Sequence, residues 1–321
     1  MPPARCVEID AWYTSSGPIV THGYTFTKSI PFQAACAAIG EAVKSDSLPI
    51  TVSLECHVEV EKQVELVEIM KATWGDKLVA NPLQKSVEDQ IRGELDHHRA
   101  SGEYKPSLIP SHCLSQAKVS PDDLRGKIFL MVEYFPDKPN PIAKNADDSD
   151  SSSSDLDRSN AEQAPKVKAA HKSEFVKVHP QLAALGIYAN SIKPKGNWLE
   201  QELLEPFHAL INISESGLHK MLPHSLEGLI GHACKHMRRC YPRGTRVESS
   251  NMDPLPSWRA GTQVAALNMQ VWDLGTQLNA ALFEGSQGWV LKPEALRGGQ
   301  KRSGEVTFKV EVIGADDGRY L

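Results

Sequence analysis

Three acidic side chains and one histidine stand where strands are expected to end. Glu8 and Asp10 lie two residues apart in "RCVEIDAW". Residues two apart in a strand share a face, so both carboxylates point one way while Val7 and Ile9 point the other. Glu55 closes the β-rich run "PITVSLECH", and His22 ends "PIVTHG". Carboxylates this close repel unless a cation or a proton intervenes. Acids without a cysteine or histidine pair beside them suit a hard, oxygen-seeking cation such as calcium or magnesium. His22 is a candidate acid–base group. Singly, these residues read as a solvated strand face and a loop histidine. Gathered at the strand ends of one barrel, they read as an active site.

The elements that must hold them alternate along the chain. "CVEID" and "PIVTH" are strand candidates, and "IPFQAACAAIGEAVK" carries apolar residues at helical spacing (Phe32, Cys36, Ile39, Val43). "VEKQVELVEIMKATWGDKL" suits an amphipathic helix and "LRGKIFLMVEY" a strand. From Asp147 to Gln163 the sequence reads "DDSDSSSSDLDRSNAEQ", too polar to offset its ordering entropy, which predicts a disordered linker. Beyond it follow "LAALGIYANSI", a serine-bearing helix from "SESGLHKML", then "TQVAALNMQVW" and "GWVLKP". The fold class this implies is α/β, a TIM-like (β/α) barrel split by a disordered acidic insert.

Composition narrows the function. The 321 residues are 40% apolar and carry a net charge of −5, so no global field recruits nucleic acid. No apolar run is long enough for a transmembrane segment, and the first residues do not resemble a secretory leader. Six scattered cysteines without a CxxC pair fit a reduced, cytoplasmic protein. In "GHACKHMRRC", the grouping of His232, Cys234, His236 and Cys240 is read as a surface helix turn rather than a zinc site. His97 and His98, in "LDHHRASGEY", are read as solvated.

"VEIDAW…PIVTHGYTFTKSIPF…PITVSLECH…GDKLV" resembles the X region of eukaryotic phosphoinositide-specific phospholipase C. "LLEPFHALINISES…MRRCYPRGTRVESSNMDPLPSW…GTQVAALNMQ…GWVLKP" resembles its Y region. The resemblance implies an X half over residues 4–140, a linker over 144–170, a Y half over 175–296, and the start of a C-terminal membrane-docking β-sandwich over 304–321. It implies a peripheral membrane enzyme that takes phosphoinositide lipids, with Glu8, Asp10 and Glu55 as calcium ligands, and His22 and Glu8 as catalytic groups. It also implies that Asn212, Arg239 and Tyr241 contact the headgroup. Read alone, "KHMRRCYPRGTR" is a solvated basic face.

Three departures from the family pattern stand out. A further catalytic histidine and an asparagine ligand belong on a first barrel strand. Only "MPPA" precedes Arg5, so a barrel lacking that strand is expected. Met131 and Glu133 occupy positions where the family has a Lys-x-Lys pair. The C-terminal sandwich is represented by its opening strand alone. The competing reading is a catalytically inactive barrel that binds phosphoinositide or a protein partner. A glycerophosphodiester-type barrel is disfavoured by the Y motifs.

Overall fold

The computed structural model describes residues 4–22, 28–83, 119–133, 178–194, 196–200, 203, 208–246 and 248–299. The expected linker, His97, His98 and the expected sandwich strand lie outside the described residues.

Among the described residues, nine strands form one sheet, in the order β3-β2-β1-β4-β5-β6-β7-β8-β9. They are β1 (Cys6–Thr14), β2 (Gly17–Val20), β3 (Ile30–Pro31), β4 (Ile50–Cys56), β5 (Ile128–Glu133), β6 (Asn190–Ile192), β7 (Ala209–Ser214), β8 (Met237–Tyr241) and β9 (Val264–Ala265). β1 and β4 through β9 run parallel, whereas β2 folds back antiparallel on the C-terminal half of β1 and β3 pairs antiparallel with β2. A closed (β/α) barrel has eight parallel strands. Here, among the described residues, an arc of seven is present and no ladder joins β1 to β9.

Period-two alternation decides what faces where. On β1, β4 and β5, the residues Ile9, Ala11, Ile50, Val52, Leu54, Ile128, Leu130 and Val132 pack outward. They meet Phe32, Cys36 and Ile39 of helix α1 (Phe32–Ala42) and Leu66, Met70 and Trp74 of helix α2 (Gln63–Trp74). The intervening positions face inward, where Phe129, Met131 and Leu210 fill the floor of the arc. Both helices show the expected apolar spacing, and α2 stops at Gly75, whose φ of 50° suits a residue without Cβ.

In the second half, helix α3 is short (Pro180–Ala183), and α4 spans Glu215–Lys235. The α4 N-terminus is capped by Ser214, whose side chain accepts from Gly217 N at 3.1 Å. Pro223 lies inside α4, which departs from helical geometry at Ser225. Helices α5 (Leu255–Arg259) and α6 (Leu274–Phe283) follow, α6 opened by a capping box between Asp273 and Thr276.

The expected surface helix turn in "GHACKHMRRC" is corrected here. The helix ends at Lys235 and β8 begins at Met237. In a strand, neighbouring arginines point to opposite faces, so Arg238 is driven outward under α4 and is fully buried. Its guanidinium donates to Thr262 Oγ1 at 3.0 Å, to Leu229 O at 3.1 Å and to Ala260 O. Burial pushes its pKa down to about 10.

Residues after α6 brace the floor. Arg5 Nε donates to Gln287 O at 2.9 Å, and Trp289 Nε1 donates to Pro49 O at 3.0 Å. The two halves of the arc are thereby tied beneath β1 and β4.

Candidate active site

The parallel register sets Asp10 directly opposite Glu55, at the C-terminal ends of β1 and β4. Glu8 lies two residues back on the same inward face of β1. Carboxylate oxygens of Glu8, Asp10 and Glu55 lie within 4.8 Å of one another. Burial raises the Asp10 pKa, against the pull of His22 and His57. Burial also raises that of Glu55, and the Asp10 charge adds to it. Both shifts reflect carboxylates drawn partly out of water. The donor set is all oxygen and strand-anchored, which fits a hard divalent cation.

One organic cation already stands in this cluster. The Arg239 guanidinium reaches across from β8 to pair with Glu8. Its Cζ also lies 5.6 Å from the centroid of the Tyr241 ring. Arg239 and Tyr241 sit two apart on β8, so they share the inward face that Arg238 leaves. Asn212 on β7 donates through Nδ2 to Ser191 Oγ at 2.6 Å, while its Oδ1 is buried without a protein partner. Asn212 is among the residues lining a cleft of about 2540 Å³, whose walls also include Glu8, Asp10, His22, Glu55 and Arg239. His22, just past β2, is exposed at the same mouth.

The residues singled out from sequence are therefore brought to one mouth by β1, β2, β4, β7 and β8. Two contributors were not singled out. His57 Nε2 lies 3.1 Å from Glu55 Oε1, and its ring stacks on Trp12 with centroids 4.2 Å apart. The third residue of "ECH" was the available signal, since it follows Glu55 by two. Glu215 is the other. It accepts from Arg246 Nε at 2.8 Å and from Arg243 N at 3.3 Å, tying the loop after β8 to the start of α4. The departures also separate: Met131 is buried in the floor, whereas Glu133 is exposed, lines the cleft and adds its charge to the field on Glu55.

The sequence matches two family models in chain order. Residues 3–98 match the phosphatidylinositol-specific phospholipase C X domain, and residues 182–295 match its Y domain. The chain belongs to the phosphatidylinositol-specific phospholipase C family. Among similar curated proteins, a Xenopus laevis 1-phosphatidylinositol 4,5-bisphosphate phosphodiesterase delta-4 is 30% identical over 300 residues, which cover 91% of this chain and 36% of that protein. A Candida albicans 1-phosphatidylinositol 4,5-bisphosphate phosphodiesterase 1 is 30% identical over 337 residues, covering 91% of this chain and 28% of that protein. Of solved structures, that of S. officinalis PLC21 aligns with a TM-score of 0.65 at 26% identity, over 93% of this chain and 34% of that one. The chain thus spans about a third of the length of these phospholipase C relatives. Within the family's split-barrel architecture, the X and Y stretches here supply the two ends of one arc. No described helix is long and apolar enough to cross a membrane.

Proposed function

We propose that this chain is catalytic-core sequence of a calcium-dependent phosphoinositide phospholipase C, which cleaves phosphatidylinositol phosphates to diacylglycerol and inositol phosphates at a membrane surface. The observation that carries this reading is the Glu8–Asp10–Glu55 cluster facing Arg239, Tyr241 and Asn212 across one cleft. Glu8, Asp10 and Glu55 would hold calcium, which when bound supplies the positive charge that lowers the pKa of an inositol hydroxyl. Glu8 accepts the proton of the 2-hydroxyl, whose oxygen attacks the adjacent phosphorus. The bond from phosphorus to the diacylglycerol oxygen breaks, and His22 protonates that leaving oxygen or stabilises the developing charge. A cyclic inositol phosphate results, and water opens it. Arg239 pairs with a ring phosphate, Tyr241 offers its face to the ring, and Asn212, which lines the same cleft, is the polar side chain beside them.

A second reading, a barrel that binds the headgroup without cleaving it, is favoured by one observation. Among the described residues no ladder joins β1 to β9, and the free side of β1 carries the antiparallel β2 in place of a further parallel strand, so the arc of parallel strands that lines the mouth is open there.

Vesicles carrying phosphatidylinositol labelled in its headgroup distinguish the two. Calcium-dependent release of soluble inositol phosphate, abolished by a chelator and by His22→Ala, supports the enzyme. Calcium-dependent vesicle binding with no release supports the binding barrel.

A further inference from the structure

Arg239 stands between two kinds of partner. Its side chain is 12% exposed, and among the described residues Glu8 is the carboxylate that ion-pairs with it. Unlike Arg238, whose guanidinium is met by Thr262 and two backbone carbonyls, Arg239 has a carboxylate as its partner, and taking Glu8 away would leave a largely buried charge uncompensated. Glu8 is also one of three carboxylates packed closely enough to hold a metal ion. A divalent cation on Glu8, Asp10 and Glu55 would lie against the same oxygens that Arg239 now occupies. Two cations cannot share that position without strong repulsion. Arg239 and Tyr241 both line the cleft, with the guanidinium carbon 5.6 Å from the Tyr241 ring centroid.

We infer that Arg239 is a counter-ion exchanged between the carboxylate cluster and a phosphate ester on an inositol ring, so that cation and anionic headgroup bind cooperatively. This rests on the cation site of the reading above. With neither ligand present, Arg239 neutralises Glu8 and competes with the cation. When the cation takes the three carboxylates, the guanidinium is released and needs a new anion. A phosphate arriving at Tyr241 supplies it, and by linkage the phosphate strengthens cation binding by the same factor. The ion pair is therefore a latch: neither ligand alone obtains the full affinity of the site.

Calorimetric titration of calcium into the full 321-residue chain tests this, in wild type, Arg239→Gln and Arg239→Lys. Each is titrated alone, with inositol trisphosphate, and with inorganic phosphate. Without phosphate, Arg239→Gln should bind calcium roughly 5- to 30-fold more tightly than wild type, and Arg239→Lys should stay near wild type. Inositol trisphosphate should raise the calcium affinity of wild type by about fivefold or more and that of Arg239→Gln by less than about twofold. An equal gain with inorganic phosphate would support the exchange with free phosphate as the anion. A gain only with the inositol ester would support it with the headgroup. The Nε–Hε resonance of Arg239, read in wild type by NMR, should be protected without calcium and should move on saturation. This arm does not depend on a variant folding. Equal calcium affinity in wild type and Arg239→Gln, or an unmoved Arg239 resonance, would overturn the exchange. Absence of calcium binding in every chain would instead overturn the cation site on which it rests.

Discussion

His57 holds Glu55 from one side while stacking on Trp12 from the other, with Nε2–Oε1 at 3.1 Å and ring planes 15° apart. The imidazole is thus fixed by an aromatic face and in turn fixes a carboxylate of the cluster. Residues that orient a metal-binding group typically contribute 10- to 100-fold to metal affinity. His57→Ala should therefore weaken calcium binding by about tenfold while leaving the far-ultraviolet circular dichroism unchanged, and His57→Gln should recover part of the loss. The same affinity in His57→Ala and wild type would show that Glu55 needs no support from this side.

Glu133 ends β5, the strand beside the one that carries Glu55. It lines the cleft and raises the Glu55 pKa by its own negative charge. An acidic group here disfavours a ring phosphate, so lipids with fewer phosphates should compete well. Glu133→Lys exchanges repulsion for attraction, worth on the order of 1 kcal/mol at a partly solvated site, or roughly fivefold in relative rate for the bisphosphate lipid over phosphatidylinositol. Paired assays on vesicles of the two lipids check this. An unchanged ratio would place the ring phosphates elsewhere.

His232 makes the second half acid-sensitive. It is buried, both ring nitrogens lack a protein partner, and its ring meets Trp198 edge-on and His236 at 4.8 Å. Burial, with the nearby His236, Arg238 and Lys235, pushes its pKa down to about 4. An unfolded histidine titrates near about 6.5, so between these values the unfolded chain binds the extra proton. This contribution is complete above about 6.5 and is lost as pH falls toward 4. Urea midpoints should drop across that window, and His232→Phe should flatten the drop. Parallel pH profiles for the two chains would assign the acid sensitivity to other groups.

What was legible in the sequence follows from where each signal is local. Glu8 and Asp10 declare a shared face through period two, and the apolar residues between them declare the buried one. The α1 and α2 stripes were legible for the same reason, at period 3.6. Arg238 was not, and Arg239 was singled out through the family resemblance alone: a run of cations looks solvated until one knows that it is a strand with a helix on its outer side. Only the packing of α4 on β8 separates the buried structural arginine from the one in the cleft. The Arg239–Glu8 pair joins residues 231 positions apart (239 minus 8), and nothing in either local stretch announces it. His57 was hidden for a different reason, since its role depends on Trp12 from a neighbouring strand.

The account stands or falls on the carboxylate cluster as a calcium site. Isothermal titration of calcium into the wild-type chain and into Asp10→Asn measures this directly. Asp10 is the least exposed of the three acids and faces Glu55 across the ladder, so it has the fewest ways to be replaced. Stoichiometric binding in wild type, weakened by about tenfold or more in Asp10→Asn, is the predicted result. Equal affinity in the two chains, or no calcium bound by wild type at millimolar concentration, would contradict it.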